Sequence, residues 1–298
     1  SFIIFLSPSF RSNVIWPESS IFGLLFFLSG LYFFLKNIRK FEKKNIYLNI
    51  FFIALASYIR PSYCLFAIYF AFYFIFNFQN NKFILNKDKT LISNIIFLNF
   101  FLAFPAFYYV FILDVFFIKS GGLSFNFFDK ISIISSIIFF HLLPILFYKK
   151  FFLSKNYQNN SKIVYFFLFM LSLILIIGFN YDLNLGGGGF ILHLSNFLAG
   201  NNYLFYILIP IFVFYIHKII KIELFNNSLI LLILLFLSPQ YHLFEKYYDP
   251  LVFILALTIL KLNLKKDFFS NHKFLFITYL FYISLHSVHF FNYYYINY

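Results

Sequence analysis

The densest set of chemically capable side chains lies in LSPQYHLFEKYYDPLVFILAL (237–257), where His242, Glu245, Lys246, Tyr247, Tyr248 and Asp249 fall between two apolar runs. Lys246 can neutralise a phosphate and His242 can donate to one. Tyr247 and Tyr248 can stack on a sugar or mark the aromatic belt of a membrane interface. Their adjacency to Glu245, Lys246 and Asp249 favours the ligand-binding reading. Arg60, in SYIRPSYCLF, sits between two apolar segments. A charge at bilayer depth costs about 2.5–3.5 kcal/mol even on a lenient insertion scale, so such a residue takes a partner. Arg60 therefore either snorkels to the headgroups or holds a phosphate. In the opening stretch SPSFRSNVIWPES, Arg11 and Glu18 precede a helix start marked by Pro17, Ser19 and Ser20. The Arg11 fork matches a phosphate, and Glu18 can accept a hydroxyl proton or position a sugar hydroxyl. A carboxylate ahead of a helix also has a plain explanation in the helix dipole, worth roughly 0.3–1 kcal/mol.

Other constellations carry less. Gly186 to Gly189 follow no strand and lack the spacing of a nucleotide-binding loop, so flexibility is expected there. Such a loop can close over a lipid headgroup, with Asp182, Asn184, His193 and Asn196 nearby. His286 and His289 are three apart in the last apolar run but have no local third ligand, and Cys64 is the single cysteine. No cofactor is identified, and the sequence does not support a divalent metal. Asp114 and Asp129 flank a connection and read as solvated loop ends.

The elements that must position these residues are membrane helices. The 298 residues are 62% hydrophobic and 11% charged, more apolar surface than one soluble core can hide. Runs such as SIFGLLFFLSGLYFFLK and VYFFLFMLSLILIIGF approach the roughly 20 residues that cross a bilayer. A transmembrane barrel would show alternation, which is absent. The expected fold class is all-α, a polytopic transmembrane bundle of about ten spans. They fall at 20–36, 46–60, 62–78, 91–113, 131–148, 163–179, 203–217, 228–239, 250–263 and 274–292. The segment 46–78 reads as two spans turning at Arg60-Pro61, because a single kinked helix would reverse the charge bias of every later connection.

The net charge of +13 is spread over the ends of apolar runs rather than one soluble face, which argues against a nucleic-acid partner. Connections rich in lysine, such as KKFFLSKNYQNNSK (149–162), alternate with connections of mixed charge. The positive-inside rule places the basic set in the cytoplasm and the polar clusters outside. An external Arg60 runs against that bias, which favours the phosphate reading. The expectation is a multi-pass integral membrane protein, of a bacterial inner membrane, with its functional loops external. Residues 1–298 form one transmembrane domain. The opening SFIIFL and the single methionine, Met170, point to a fragment lacking its N-terminal helices and first external loop.

Three stretches resemble the multi-spanning GT-C glycosyltransferases, closest to the dolichyl-phosphoglucose α-1,2-glucosyltransferase branch: IWPESSIFGLLFFLSGLYFFLK, ALASYIRPSYCLFAIYF and FEKYYDPLVF. In that branch Arg-Gln is usual where this chain has Arg60-Pro61. The resemblance implies inverting transfer of a sugar from a polyprenyl-phosphate donor to a glycan or lipid acceptor. It implies that Arg60, Lys246 and Arg11 bind phosphate, while Glu18, Tyr247 and Asp249 orient sugar or acceptor, and that the catalytic aspartate lies upstream of Ser1. The competing readings are a lipid-linked glycan transporter or flippase, which should carry ionisable residues at mid-membrane, and an O-antigen-type polymerase or ligase. The latter relies on a large external loop with arginines, and 180–202 has none.

Overall fold

A computed structural model describes residues 19–79, 82–108, 126–149, 162–183, 186–238, 242–262 and 272–291. It is an all-α structure with one small hairpin. The chain divides into two compact units, one holding 13–123 with 228–239, the other 124–227 with 240–298 and the first twelve residues.

In the first of these units, α1 (Ser19–Arg39) and α2 (Lys43–Ile59) form a tight pair. The buried positions of α2, Asn45, Ile46, Asn49, Ile50, Ile53 and Ala56, recur every three or four residues and make one face. Gly30 lets that face approach, since a Cβ there would stand 2.8 Å from the Ile53 side chain. The Asn49 amide donates to the Gly30 carbonyl at 2.9 Å, so a buried polar group is matched across the pair. Proline disfavours helix at the residue before it, and Arg60 is extended (φ −133°, ψ 98°), with a short 3₁₀ turn at Pro61–Tyr63 leading into α3 (Cys64–Ile75). The expected break at Arg60-Pro61 is therefore present. Strands β1 (Phe76–Gln79) and β2 (Lys82–Leu85) pair antiparallel, with Phe76 opposite Leu85. Asp88 then caps α4 (Lys89–Phe107) by accepting from the Leu91 amide at 3.0 Å.

The other unit is built around α5 (Phe127–Lys149), whose Ile133, Ile134, Ile137, Ile138, Leu142 and Ile145 are buried. Around it pack α6 (Lys162–Gly178), α7 (Phe190–Ala199), α8 (Tyr203–Ile222), α10 (Leu251–Thr258) and α11 (His272–Phe291). The helix α9 (Leu224–Phe236) begins here and its later residues belong to the first unit. Its opening turn clamps two neighbours: Asn227 donates to the Ile219 and Lys261 carbonyls, and Asn226 donates to the Ile259 carbonyl.

Among the described residues four helical stretches are long and apolar enough to cross a membrane: Ile21–Arg39, Lys89–Phe107, Phe127–Ile145 and Tyr203–Ile222. Several sequence expectations change, and the expected span 62–78 is α-helical only over Cys64–Ile75 before it runs into β1. The connection 180–202 contains α7, ten residues long, rather than being loop throughout. Asp129 is not a solvated loop end: it is buried, and its carboxylate accepts from the Asn180 amide at 2.8 Å.

Candidate functional site

The segment 242–249 is anchored by one carboxylate. Glu245 begins a single 3₁₀ turn, Glu245–Tyr247, which directs its side chain towards the helices and leaves Lys246 exposed. Its Oε2 accepts from the Phe190 backbone amide at 2.8 Å, at the first turn of α7. Helix N-termini present unsatisfied amides and a positive dipole end, and a carboxylate from another element fills that role here. The other oxygen, Oε1, lies 3.1 Å from His141 Nε2 on α5. One side chain thus joins the segment 242–249, the start of α7 and the middle of the central helix.

The glycine run completes the seat. Gly186, Gly187, Gly188 and Gly189 all have positive φ (84°, 81°, 98° and 78°), a region that L side chains rarely adopt. Gly188 donates to the Leu243 carbonyl at 2.9 Å, and Leu243 donates to the Tyr181 hydroxyl at 3.2 Å. That hydroxyl in turn donates to the Gly186 carbonyl at 2.6 Å, and His193 Nε2 lies 2.7 Å from the Gly187 carbonyl. A Cβ on Gly187 would come within 2.8 Å of both the Leu243 carbonyl oxygen and the Tyr181 hydroxyl. The expected flexible loop is instead a pinned one. Its glycines serve backbone geometry and close approach to 243, and Asn184 lies outside the described residues.

On this seat the outward residues differ in kind from the inward ones. Lys246 is exposed, its Nζ 5.8 Å from the Phe244 ring centre and 5.9 Å from that of Tyr247. His242 is half-buried and stacks on Phe244 at 5.9 Å. Tyr248 and Asp249 are buried. The arrangement can present an ammonium group flanked by aromatic faces, a combination suited to an anion carried next to an apolar or sugar surface. The segment thus brings together five of the sequence-selected residues: His242, Glu245, Lys246, Tyr247 and Asp249.

Arg60 belongs to the other unit, half-buried at the α2–α3 break with its guanidinium 5.7 Å from the Tyr63 ring centre. Tyr63 stacks in turn on Phe27 at 4.9 Å, so an aromatic column fixes the arginine's base. Arg11 and Glu18 lie outside the described residues, as does Asp114.

Sequence reasoning missed His141, Tyr181 and Tyr282. His141 is buried in the middle of an apolar run, and an ionisable residue inside a span is itself a signal. Tyr181 and Tyr282 carry no such mark among 24 tyrosines. Among the described residues no group of three or more His, Cys, Asp or Glu side chains is placed to hold a metal ion. No family model, no curated protein and no solved structure matches the chain.

Proposed function

We propose that the chain is a membrane glycosyltransferase that moves a sugar from a polyprenyl-phosphate donor to a glycan or lipid acceptor at the external face. The observation that carries this reading is the exposed Lys246 between the Phe244 and Tyr247 rings, on a segment whose base is pinned by Glu245 and the glycine run. A lipid-linked donor offers a phosphate for the ammonium and a sugar face for the ring of Tyr247. Four span-length helices, with the further apolar runs of the sequence, support a reading of about ten crossings in a GT-C-like bundle. The positive-inside rule then orients the lysine-rich connections inwards and 242–249 outwards.

In the reaction the acceptor hydroxyl attacks the anomeric carbon and the bond from that carbon to the phosphate oxygen breaks. The hydroxyl proton passes to a base, and polyprenyl phosphate leaves with inversion at the sugar. Lys246 stabilises the charge on the departing phosphate. Tyr247 orients the sugar, and His242 donates to the phosphate. Glu245 and Asp249 act from within the segment. Arg60 is a second phosphate ligand, tested on its own, and Arg11 and Glu18 keep the roles that the resemblance gives them.

Sugar transfer from polyprenyl-phosphate donors, assayed in membranes, tests the reading with Lys246→Ala and Arg60→Ala. Loss of one preorganised charge-stabilising group lowers turnover about 10²–10³-fold. Undiminished transfer in both variants overturns the phosphate assignment. A transporter of lipid-linked glycans is the second reading, favoured by His141, which is buried mid-helix beside a carboxylate as ionisable groups on transport pathways are. Movement of a labelled lipid-linked glycan across proteoliposomes, without sugar transfer, selects it.

A further inference from the structure

The contacts of Glu245 have a second consequence that does not depend on which lipid-linked substrate is handled. His141 is the only side chain type whose ordinary titration spans neutral pH, and here it is buried on the central helix α5. The charged groups acting on it are Glu245, at 3.1 Å, and Asp249, both carried by the 242–249 segment. Packed against the same region, α11 contributes the Tyr282 hydroxyl, within electrostatic reach of both carboxylates, and α7 contributes the Phe190 amide. Among the described residues the other helices on α5, namely α6, α8 and α10, add no charged group that acts on His141.

Several buried polar atoms in this cluster, His141 Nδ1 and the hydroxyl of Tyr282 among them, have no hydrogen-bond partner among the described residues. Tyr282 is only 2% exposed, so bulk water does not satisfy it. Buried polar atoms left in this way mark a place for a small ligand that can be both donated and accepted. An imidazole and two carboxylates supply too few oxygens for a hard cation. A proton on the imidazole nitrogen that lies 3.1 Å from Glu245 Oε1 fits that approach.

We propose that His141 and Glu245 form a buried proton-binding site whose occupancy decides whether the segment 242–249 stays fastened to α5 and α7. The fastened state needs a protonated imidazole opposite an ionised Glu245. Protonation of Glu245 at acid pH removes the carboxylate charge that holds both His141 and the Phe190 amide. Loss of the imidazole proton at alkaline pH removes the opposite charge. The Glu245 side chain is 26% exposed, which gives the proton a route to solvent.

The test uses the full chain in lipid nanodiscs, with Cys64→Ser and a spin label at Lys246→Cys, and reads label mobility against pH. The label is expected to be least mobile in a middle pH window and to loosen on both sides of it. His141→Gln is expected to abolish the alkaline limb. Glu245→Gln keeps an oxygen for the Phe190 amide and is expected to abolish the acid limb. A label whose mobility is flat with pH in the otherwise native chain overturns the proposal, as do limbs that survive in both the His141 and Glu245 variants. A residue needed only for packing would loosen the label at every pH and leave both limbs in place.

Discussion

The helices α4 and α5 have the same apolar character and the same spanning length, yet 11% of the α4 stretch is buried inside the structure against 78% of the α5 stretch. On α4, Phe97, Phe100, Phe101, Phe104 and Phe107 all face outwards, where lipid tails are as good a solvent as another helix. Its asparagines make light demands: the Asn99 amide donates to the Ile95 carbonyl one turn back, and Asn94, exposed, donates to the Tyr47 hydroxyl of α2 at 3.2 Å. On α5 the buried set includes Ser132, Ser135, Ser136 and His141. Small polar residues let helices approach closely, and an ionisable one has to be met by a partner from elsewhere. Glu245 is that partner. Two helices of similar hydropathy thus differ in place, one exposed along most of its length and the other the hub of the candidate site.

The strongest way to break the comparison is to remove the partner. Deleting one member of a buried ion pair costs about 3–5 kcal/mol because the other charge is left uncompensated. Glu245→Ala is therefore expected to destabilise the protein by an amount of that order in detergent unfolding titrations, since it strands His141 and the α7 amide together. Phe100→Ala on the lipid side of α4 is expected to stay within about 0.5 kcal/mol. Equal losses in the two variants would mean that α5 is no hub.

The glycines sharpen the same contrast at smaller scale. Gly200 has φ 66° and nothing within 4 Å of an added Cβ, so Gly200→Ala bears only the left-handed backbone cost of about 1–2 kcal/mol. Gly187→Ala has that cost and also the approach of Leu243, which adds about 1–3 kcal/mol. Unfolding midpoints should rank Gly187→Ala well below Gly200→Ala. The Gly187 variant alone should also loosen a label at position 246.

The smallest effect belongs to the surface of the first unit. Lys43 lies 2.7 Å from Asp88. That lysine, the Thr90 hydroxyl and the Leu91 amide together hold the Asp88 carboxyl well below its usual range. A carboxylate with a depressed folded value stabilises above its unfolded pKa of about 3.9 and loses that contribution as pH falls towards the folded value. Asp88→Asn should therefore lower stability slightly at neutral pH and by less and less as the pH is taken below about 4. A difference between the two proteins that stays constant with pH would sink this assignment.

Much of this was legible in the chain. The apolar runs name the helices, and Pro61 names the break after Arg60 because proline excludes helical geometry at the residue before it. The 242–249 segment could be picked out by its polar density alone. Its internal division could not: nothing local distinguishes the outward Lys246 from the inward Glu245, which are neighbours on a single 3₁₀ turn. The glycine run looked mobile because glycine permits freedom, and only the Leu243 and Tyr181 contacts reveal that the same freedom is spent on one fixed shape.

By itself the sequence determined that the chain is helical, that its helices are apolar enough for a membrane, and where its reactive side chains cluster. These follow from composition and from interactions between near neighbours. Tertiary structure alone decided that Glu245 joins His141 to the start of α7, 104 and 55 residues away along the chain, and that α5 is buried while α4 is not. Such pairings depend on which faces of distant helices meet, and hydrophobicity, which drives the helices together or into lipid, has no direction of its own.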